Sequence, residues 1–133
     1  PHFILNTGSP HYVVQTDDVK TLTVVEEGRK IRYSDAFKEE GINVNFVQTI
    51  NDTSIFVRTY ERGVENETLS CGTGVTAASI VAAHNDRGFN RIEVETLGGK
   101  LAVEFDRTSE EHFENVLLCG PAELVFEGRI KLP

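Results

Sequence analysis

Several features that would settle the class of a 133-residue chain at once are missing. No apolar run approaches the ~18 residues of a membrane-spanning helix, and no basic stretch stands ahead of an apolar one as in a secretory leader. Lys and Arg total 13 against 21 Asp and Glu, a formal charge of −8. The basic residues nowhere gather at a spacing suited to phosphates, so nucleic acid and anionic membrane are poor partners. Two cysteines, Cys71 and Cys119, are too few for a disulfide framework; they are read as reduced thiols of a soluble, cytoplasmic protein. No low-complexity segment marks a linker or tail. With 39% hydrophobic and 26% charged residues the chain is expected to form one globular domain, 1–133, around a real core. No Met precedes Pro1, and the chain is expected to be a piece of a longer polypeptide.

What is present is mostly strand. "HFILN" (2–6), "HYVVQT" (11–16), "INVNFVQTI" (42–50), "TSIFVRTYE" (53–61), "RIEVET" (91–96), "KLAVEF" (100–105), "FENVLLC" (113–119) and "AELVFEGRI" (122–130) are rich in β-branched and aromatic residues and mostly alternate. Helices are expected over 17–28, opened by Asp and closed at Gly28, over 34–41 with the same grammar in miniature, and from about 73 to 87 with Gly88 beyond its end. In the third, Val75, Ala77, Ala78, Ile80, Val81, Ala82 and Ala83 surround the helix axis, so no polar face is left for solvent and the helix should be enclosed. Many short strands about one enclosed helix imply an α+β fold, a curved mixed or antiparallel sheet wrapped around that helix.

The chemistry concentrates in "CGTGVTAA", residues 71–78. Gly72-x-Gly74-x-x-Ala77 fits a dinucleotide-binding fingerprint, and Glu93 lies where a ribose-binding carboxylate would stand. That fingerprint needs a strand immediately before its first Gly, whereas here the strand is expected to end near Glu61, with a polar loop intervening. No Lys follows the glycines as a phosphate P-loop requires. A second reading makes Cys71 an inert buried thiol and the glycines mere packing. A third makes the segment an active site. Free N–H groups and the positive dipole end of a helix N-terminus favour a nearby anion and depress a thiol pKa. Backbone N–H groups of Gly72, Thr73 and Gly74 would then hold a substrate carboxylate while the Cys71 sulfur reaches its α-carbon.

"YERGVENETLSCGTGVTA", with "NTGSPHYV", "INVNFV" and "GPAELVFEG", resembles the C-terminal half of the diaminopimelate epimerase family over nearly the whole chain and in the same order. The resemblance implies a two-domain enzyme without pyridoxal phosphate, other cofactor or metal, each domain a sheet wrapped about a central helix. Two cysteines on opposite faces of the substrate α-carbon, one thiolate base and one thiol acid, would interconvert L,L- and meso-2,6-diaminopimelate. Carried across, it makes Cys71 one catalytic thiol and Gly72 and Thr73 its carboxylate-binding backbone. It places Glu61 and Arg62 at the distal ammonium and carboxylate, Asn43 as a distal-end ligand, and His11 with Glu61 as modulators of the cysteine pKa. Ser9 stands where many members carry Asn.

Inverting a carbon with two bases needs a group on each side. Cys119 precedes Gly120-Pro121 and an alternating strand rather than a helix, so it is read as structural. The second thiol is expected in an N-terminal domain, leaving half an active site and a catalytically silent chain here. The other implied partner is a small amino-acid substrate. Self-association into a homodimer is expected through an open strand edge at 123–130. A proline racemase-like or other isomerase of the same fold, or a silent amino-acid-binding domain, are the alternatives.

Overall fold

The computed structural model describes residues 1–133. In chain order its elements are β1 (His2–Asn6), β2 (Pro10–Gln15), α1 (Val24–Arg32), β3 (Asn43–Asn51), β4 (Ser54–Glu61), β5 (Asn66–Thr68), α2 (Gly72–Val81), β6 (Gly88–Thr96), β7 (Gly99–Ser109) and β8 (His112–Cys119). One sheet runs β1-β2-β3-β4-β6-β7-β8, with β5 on the far half of β4. The β2–β3 and β4–β6 pairs are parallel and the others antiparallel, so the sheet is mixed. It curls into a half-barrel around α2, which packs against β1, β2, β3, β4, β6 and β7. The fold is the α+β arrangement expected from the sequence.

Alternation along the strands divides the interior in two. On β2, β3 and β4 the residues Val13, Val47, Ile55 and Val57 face α2, where Val75, Ala77 and Ala78 meet them together with Ile92, Val94, Val103 and Phe105. Val44, Phe46 and Tyr60, one step out of phase, face α1 and pack with Val19, Val24 and Ile42. The Ser and Thr hydroxyls of apolar α2 turn back on its own carbonyls, Thr76 to Gly72 at 2.9 Å and Ser79 to Val75 at 2.8 Å. Between β1 and the far edge strand β8 the half-barrel stays open. The seam is a groove of about 780 Å³ floored by Gly72, Thr73, Thr76 and Ile80.

The helix boundaries differ from the sequence expectation, each for a local reason. The Asp18 carboxylate accepts from the Lys20 and Thr21 N–H groups and the Thr21 hydroxyl, closing a turn, and α1 begins only after Thr23. Gly28 does not end that helix but lies inside it, where a Cβ would come 2.4 Å from Cβ of Tyr60. Residues 34–41 form successive turns rather than a helix, with Lys38 N–H on the Ser34 carbonyl and Gly41 N–H on that of Phe37. α2 stops at Val81 because the buried Asn90 side-chain oxygen takes the N–H groups of His84 and Asn85, at 3.0 and 2.8 Å. His84 and Arg87 therefore lie beyond it.

Two strand expectations also change. The polar loop before Cys71 contains β5, held by a short, half-buried ion pair between Arg58 and Glu67 at 2.6 Å. Residues 120–133 carry no strand: the alternating segment at 122–130 has no partner, and Leu124, Val125, Phe126 and Ile130 stand exposed.

Gly28→Ala tests the close packing of α1 on β4. In an exposed helix the change would add about 1 kcal/mol; here the added methyl meets Tyr60 near its backbone, and a net loss of ~1–3 kcal/mol is expected in the denaturant midpoint. A gain would mean that α1 stands off the sheet.

Candidate functional site

The alternation that builds the apolar floor under α2 continues into polar residues at one end. On β2 the residue two before Val13 is His11. On β3 the residues two and four before Val47 are Asn45 and Asn43, and on β4 the residues two and four after Val57 are Thr59 and Glu61. Strand register brings them together, His11 opposite Asn43 and Asn45 opposite Thr59. His11, Asn43, Asn45 and Thr59 are all buried. The N-terminus of α2 is set down on this layer, and Gly74 allows it: a Cβ there would lie 2.3 Å from Asn45 Oδ1 and 3.2 Å from the His11 ring.

Cys71 is the extended N-cap of α2, and the first helical bond runs from Val75 N–H to its carbonyl. No side chain caps the helix, so the N–H groups of Gly72, Thr73 and Gly74 have no partner within the helix. Cys71 Sγ lies 3.6 Å from Thr73 Oγ1. Thr73 Oγ1 is also 2.8 Å from His11 Nε2 and 3.2 Å from Ser9 Oγ. Ser9 in turn lies 3.0 Å from His11 Nε2 and accepts from Asn43 Nδ2 at 3.3 Å. Asn43 Nδ2 also donates to the Pro10 carbonyl, and its Oδ1 receives the Arg62 N–H at 2.8 Å.

Burial first, and the positive charge of Arg62 second, lower the pKa of His11 from 6.5 to about 4. The imidazole is therefore neutral near pH 7. The Arg62 guanidinium donates to the Glu40 carbonyl at 3.0 Å. Arg32, Arg58 and Arg91 each hold a carboxylate, whereas Arg62 makes no such ion pair, and its charge is left for something else. Glu61 ends β4 half-buried, opposite Asn66 of β5.

The structure thus gathers His11, Asn43, Arg62, Gly72 and Thr73 around the Cys71 end of α2 and puts Glu61 at the adjoining strand end. Cys119 lies at the end of β8, paired with Ala102; both cysteines are free thiols. The strand before Gly72 is β5, antiparallel to β4, and the strand after α2 joins β4 rather than β5. The strand that runs directly into the glycines is thus not the parallel neighbour of the strand after α2 that the dinucleotide fingerprint requires. Glu93 is engaged with Arg91. Sequence reasoning missed Asn45 and Thr59, which complete the buried layer. The signal was available, because residues 43 and 45 share a face in any strand.

A family model described as diaminopimelate epimerase matches residues 3–125. A diaminopimelate epimerase of Flavobacterium psychrophilum is 48% identical over 130 residues, covering 97% of this chain and 50% of the relative. One of Aquifex aeolicus is 44% identical over 128 residues, covering 95% and 44%. The chain therefore spans about half the length of the curated relatives it matches. Among solved structures, a predicted epimerase of Pseudomonas aeruginosa superposes with a TM-score of 0.56 at 15% identity, over 76% of this chain and 34% of that one, a likeness of fold.

The low His11 pKa carries a stability signature. Because protonation is disfavoured in the folded state, the unfolded chain binds the extra proton first as pH falls. The His11 contribution is full above pH 6.5 and is lost as pH drops toward about 4. The stability difference between wild type and His11→Gln should shrink by roughly 3 kcal/mol across that window. A pH-independent difference would place the ring in contact with solvent.

Proposed function

Because the chain belongs to the diaminopimelate epimerase family, we propose that it supplies one face of a cofactor-independent epimerase site, with Cys71 as one of two acid/base thiols. The observation that carries this reading is the Cys71 sulfur at the mouth of an uncapped helix N-terminus, touching a hydroxyl that a neutral, buried histidine engages. The N–H groups of Gly72 and Thr73 would hold the carboxylate on the reacting carbon. As the α-proton leaves, negative charge spreads into that carboxylate, and fixed N–H donors bind it more tightly in the transition state than in the ground state. With no cofactor as electron sink, this stabilisation carries most of the burden.

In one direction the Cys71 thiolate takes the α-proton, the C–H electron pair remains on carbon, and a thiol on the opposite face delivers its own proton there. The configuration inverts and the two sulfurs exchange protonation states. In the reverse direction the roles exchange. The opposing thiol would come from an N-terminal domain of the longer protein, to which this chain contributes the C-terminal half of the site. The protein would work in the cytoplasm, in lysine and peptidoglycan precursor synthesis.

Arg62 favours diaminopimelate over proline, because a substrate with a second charged end can use a guanidinium that has no ion pair of its own. Glu61, beside it, would take the distal ammonium. Asn43 holds the Arg62 backbone and adds a polar contact. No helix of the structure is long and apolar enough to cross a membrane. The open strand edge expected at 123–130 is not formed, and a homodimer would instead cover the exposed side chains of Leu124, Val125 and Phe126.

Two measurements on the intact protein test the reading. Cys71→Ala should abolish exchange of the α-proton of L,L-diaminopimelate with heavy water, while Cys119→Ala should leave it within a few-fold of wild type. Normal exchange without Cys71 would reject the thiol assignment. Arg62→Lys, which loses the planar fork, should weaken diaminopimelate binding by about tenfold, ~1.4 kcal/mol. Equal use of proline by wild type would point to a racemase of the same fold instead.

A further inference from the structure

The interior of the β2–β3–β4 layer contains more hydrogen-bonding than a passive floor requires. Asn45, fully buried, has both amide hydrogens and its oxygen engaged. Nδ2 lies 3.2 Å from the Tyr12 carbonyl and 2.9 Å from His11 Nδ1, and Oδ1 accepts from the Thr59 hydroxyl at 2.8 Å. A carbonyl can only accept, so the nitrogen of the amide, not its oxygen, faces Tyr12. The second hydrogen on that nitrogen then points at His11 Nδ1, which must accept. A neutral imidazole with an accepting Nδ1 carries its proton on Nε2.

The consequence passes to Thr73. Its hydroxyl oxygen receives the His11 Nε2–H at 2.8 Å and lies within reach of the Ser9 hydroxyl at 3.2 Å. With Nε2 protonated, the Thr73 hydroxyl cannot donate to the ring. Ser9 Oγ, 3.0 Å from the same nitrogen, already accepts from Asn43 Nδ2 and turns its own hydrogen to Thr73 Oγ1, which leaves the single Thr73 hydrogen for Cys71 Sγ, 3.6 Å away. In the other tautomer Nε2 would accept, and the Thr73 hydroxyl, at 2.8 Å nearer to that nitrogen than Ser9 at 3.0 Å, would turn its hydrogen to the ring and away from the sulfur.

Building on the epimerase reading, we infer that Asn45 is a positioning residue: it fixes His11 as the Nε2–H tautomer and so directs the Thr73 hydroxyl hydrogen onto the Cys71 sulfur. His11 on this account is not the base that deprotonates Cys71, since neither ring nitrogen offers the sulfur a lone pair. It serves as a donor at the head of a chain that ends in a hydrogen bond to the thiolate. Gly74 belongs to the same device, because any side chain there would displace the Asn45 oxygen. Burial of the ring, and second to it the positive charge of Arg62, keep the imidazole neutral.

The test is ¹⁵N NMR of the imidazole rings in the intact protein at pH 7, with His11 assigned by its loss in His11→Gln. Wild type should show a protonated Nε2 and an unprotonated Nδ1. Asn45→Asp fills the same space but cannot donate, and Nδ1 should acquire a proton. Asn45→Ala leaves Nδ1 without a donor and should give averaged shifts of two tautomers. A wild-type ring protonated on Nδ1, or a pattern unchanged in both variants, would overturn the inference. The link to Cys71 is read by iodoacetamide alkylation. Asn45→Ala and Thr73→Val should each slow it several-fold, and the double variant should be no slower than Thr73→Val alone. Additive losses would break the link between Asn45 and the sulfur. The tautomer is measured without substrate, so this result stands apart from proton exchange at Cys71: a fixed Nε2–H ring with exchange surviving Cys71→Ala would refute the epimerase reading and leave the tautomer in place.

Discussion

The N-terminus of α2 can lie against the polar layer of β2 and β3 only because residue 74 has no side chain. A Cβ there would occupy the place of the Asn45 oxygen, and much of the site follows from that contact. It brings Thr73 to His11 and leaves Cys71 as an extended cap, with its sulfur beside the Thr73 hydroxyl and no side chain capping the N–H groups of the first turn. A helix end buried without partners would be costly. Here the first turn borders the open seam of the half-barrel, where a carboxylate could satisfy it.

The apolar and polar parts of the interior are one design read at two ends. Strand alternation sends Val13, Val47 and Val57 under the body of α2, and the same alternation sends His11, Asn43, Asn45 and Thr59 under its beginning. A buried polar layer is costly when partly satisfied and rigid when complete. Asn45 is complete: its two hydrogens and its oxygen all have partners. Such a layer holds a neutral imidazole in one orientation, and a site that must match a proton donor and acceptor across a carbon needs that fixity.

The far side of the sheet serves a different end. Gly28 lets α1 settle on Tyr60, and Arg58 holds Glu67 of β5 as well as the carbonyls of Val19, Lys20 and Leu22. That clamp fixes the short hairpin leading to Cys71, so the loop before the thiol is anchored from the face opposite the site.

Local pattern determined a good deal of this protein. Alternation located β1 to β4 and β6 to β8, since a half-buried strand shows its period in any context. The clustering of Cys71, Gly72 and Thr73 ahead of an apolar run marked the helix entry, and the family resemblance named His11, Asn43, Glu61 and Arg62. Tertiary contact decided the rest. Gly28 resembles a helix end but lies inside the helix against Tyr60, and α2 stops where the Asn90 side chain, folded back from the start of β6, captures the N–H groups of His84 and Asn85. The alternating residues at 122–130 form no strand, because a strand exists only where another offers a ladder, and that is a property of pairing rather than of sequence. Asn45 is the sharpest instance. Its place on the same face as Asn43 was written in the chain, but its role rests on which atoms of Tyr12, Thr59 and His11 surround it. Only the folded sheet brings those three residues, from two other strands, around one amide.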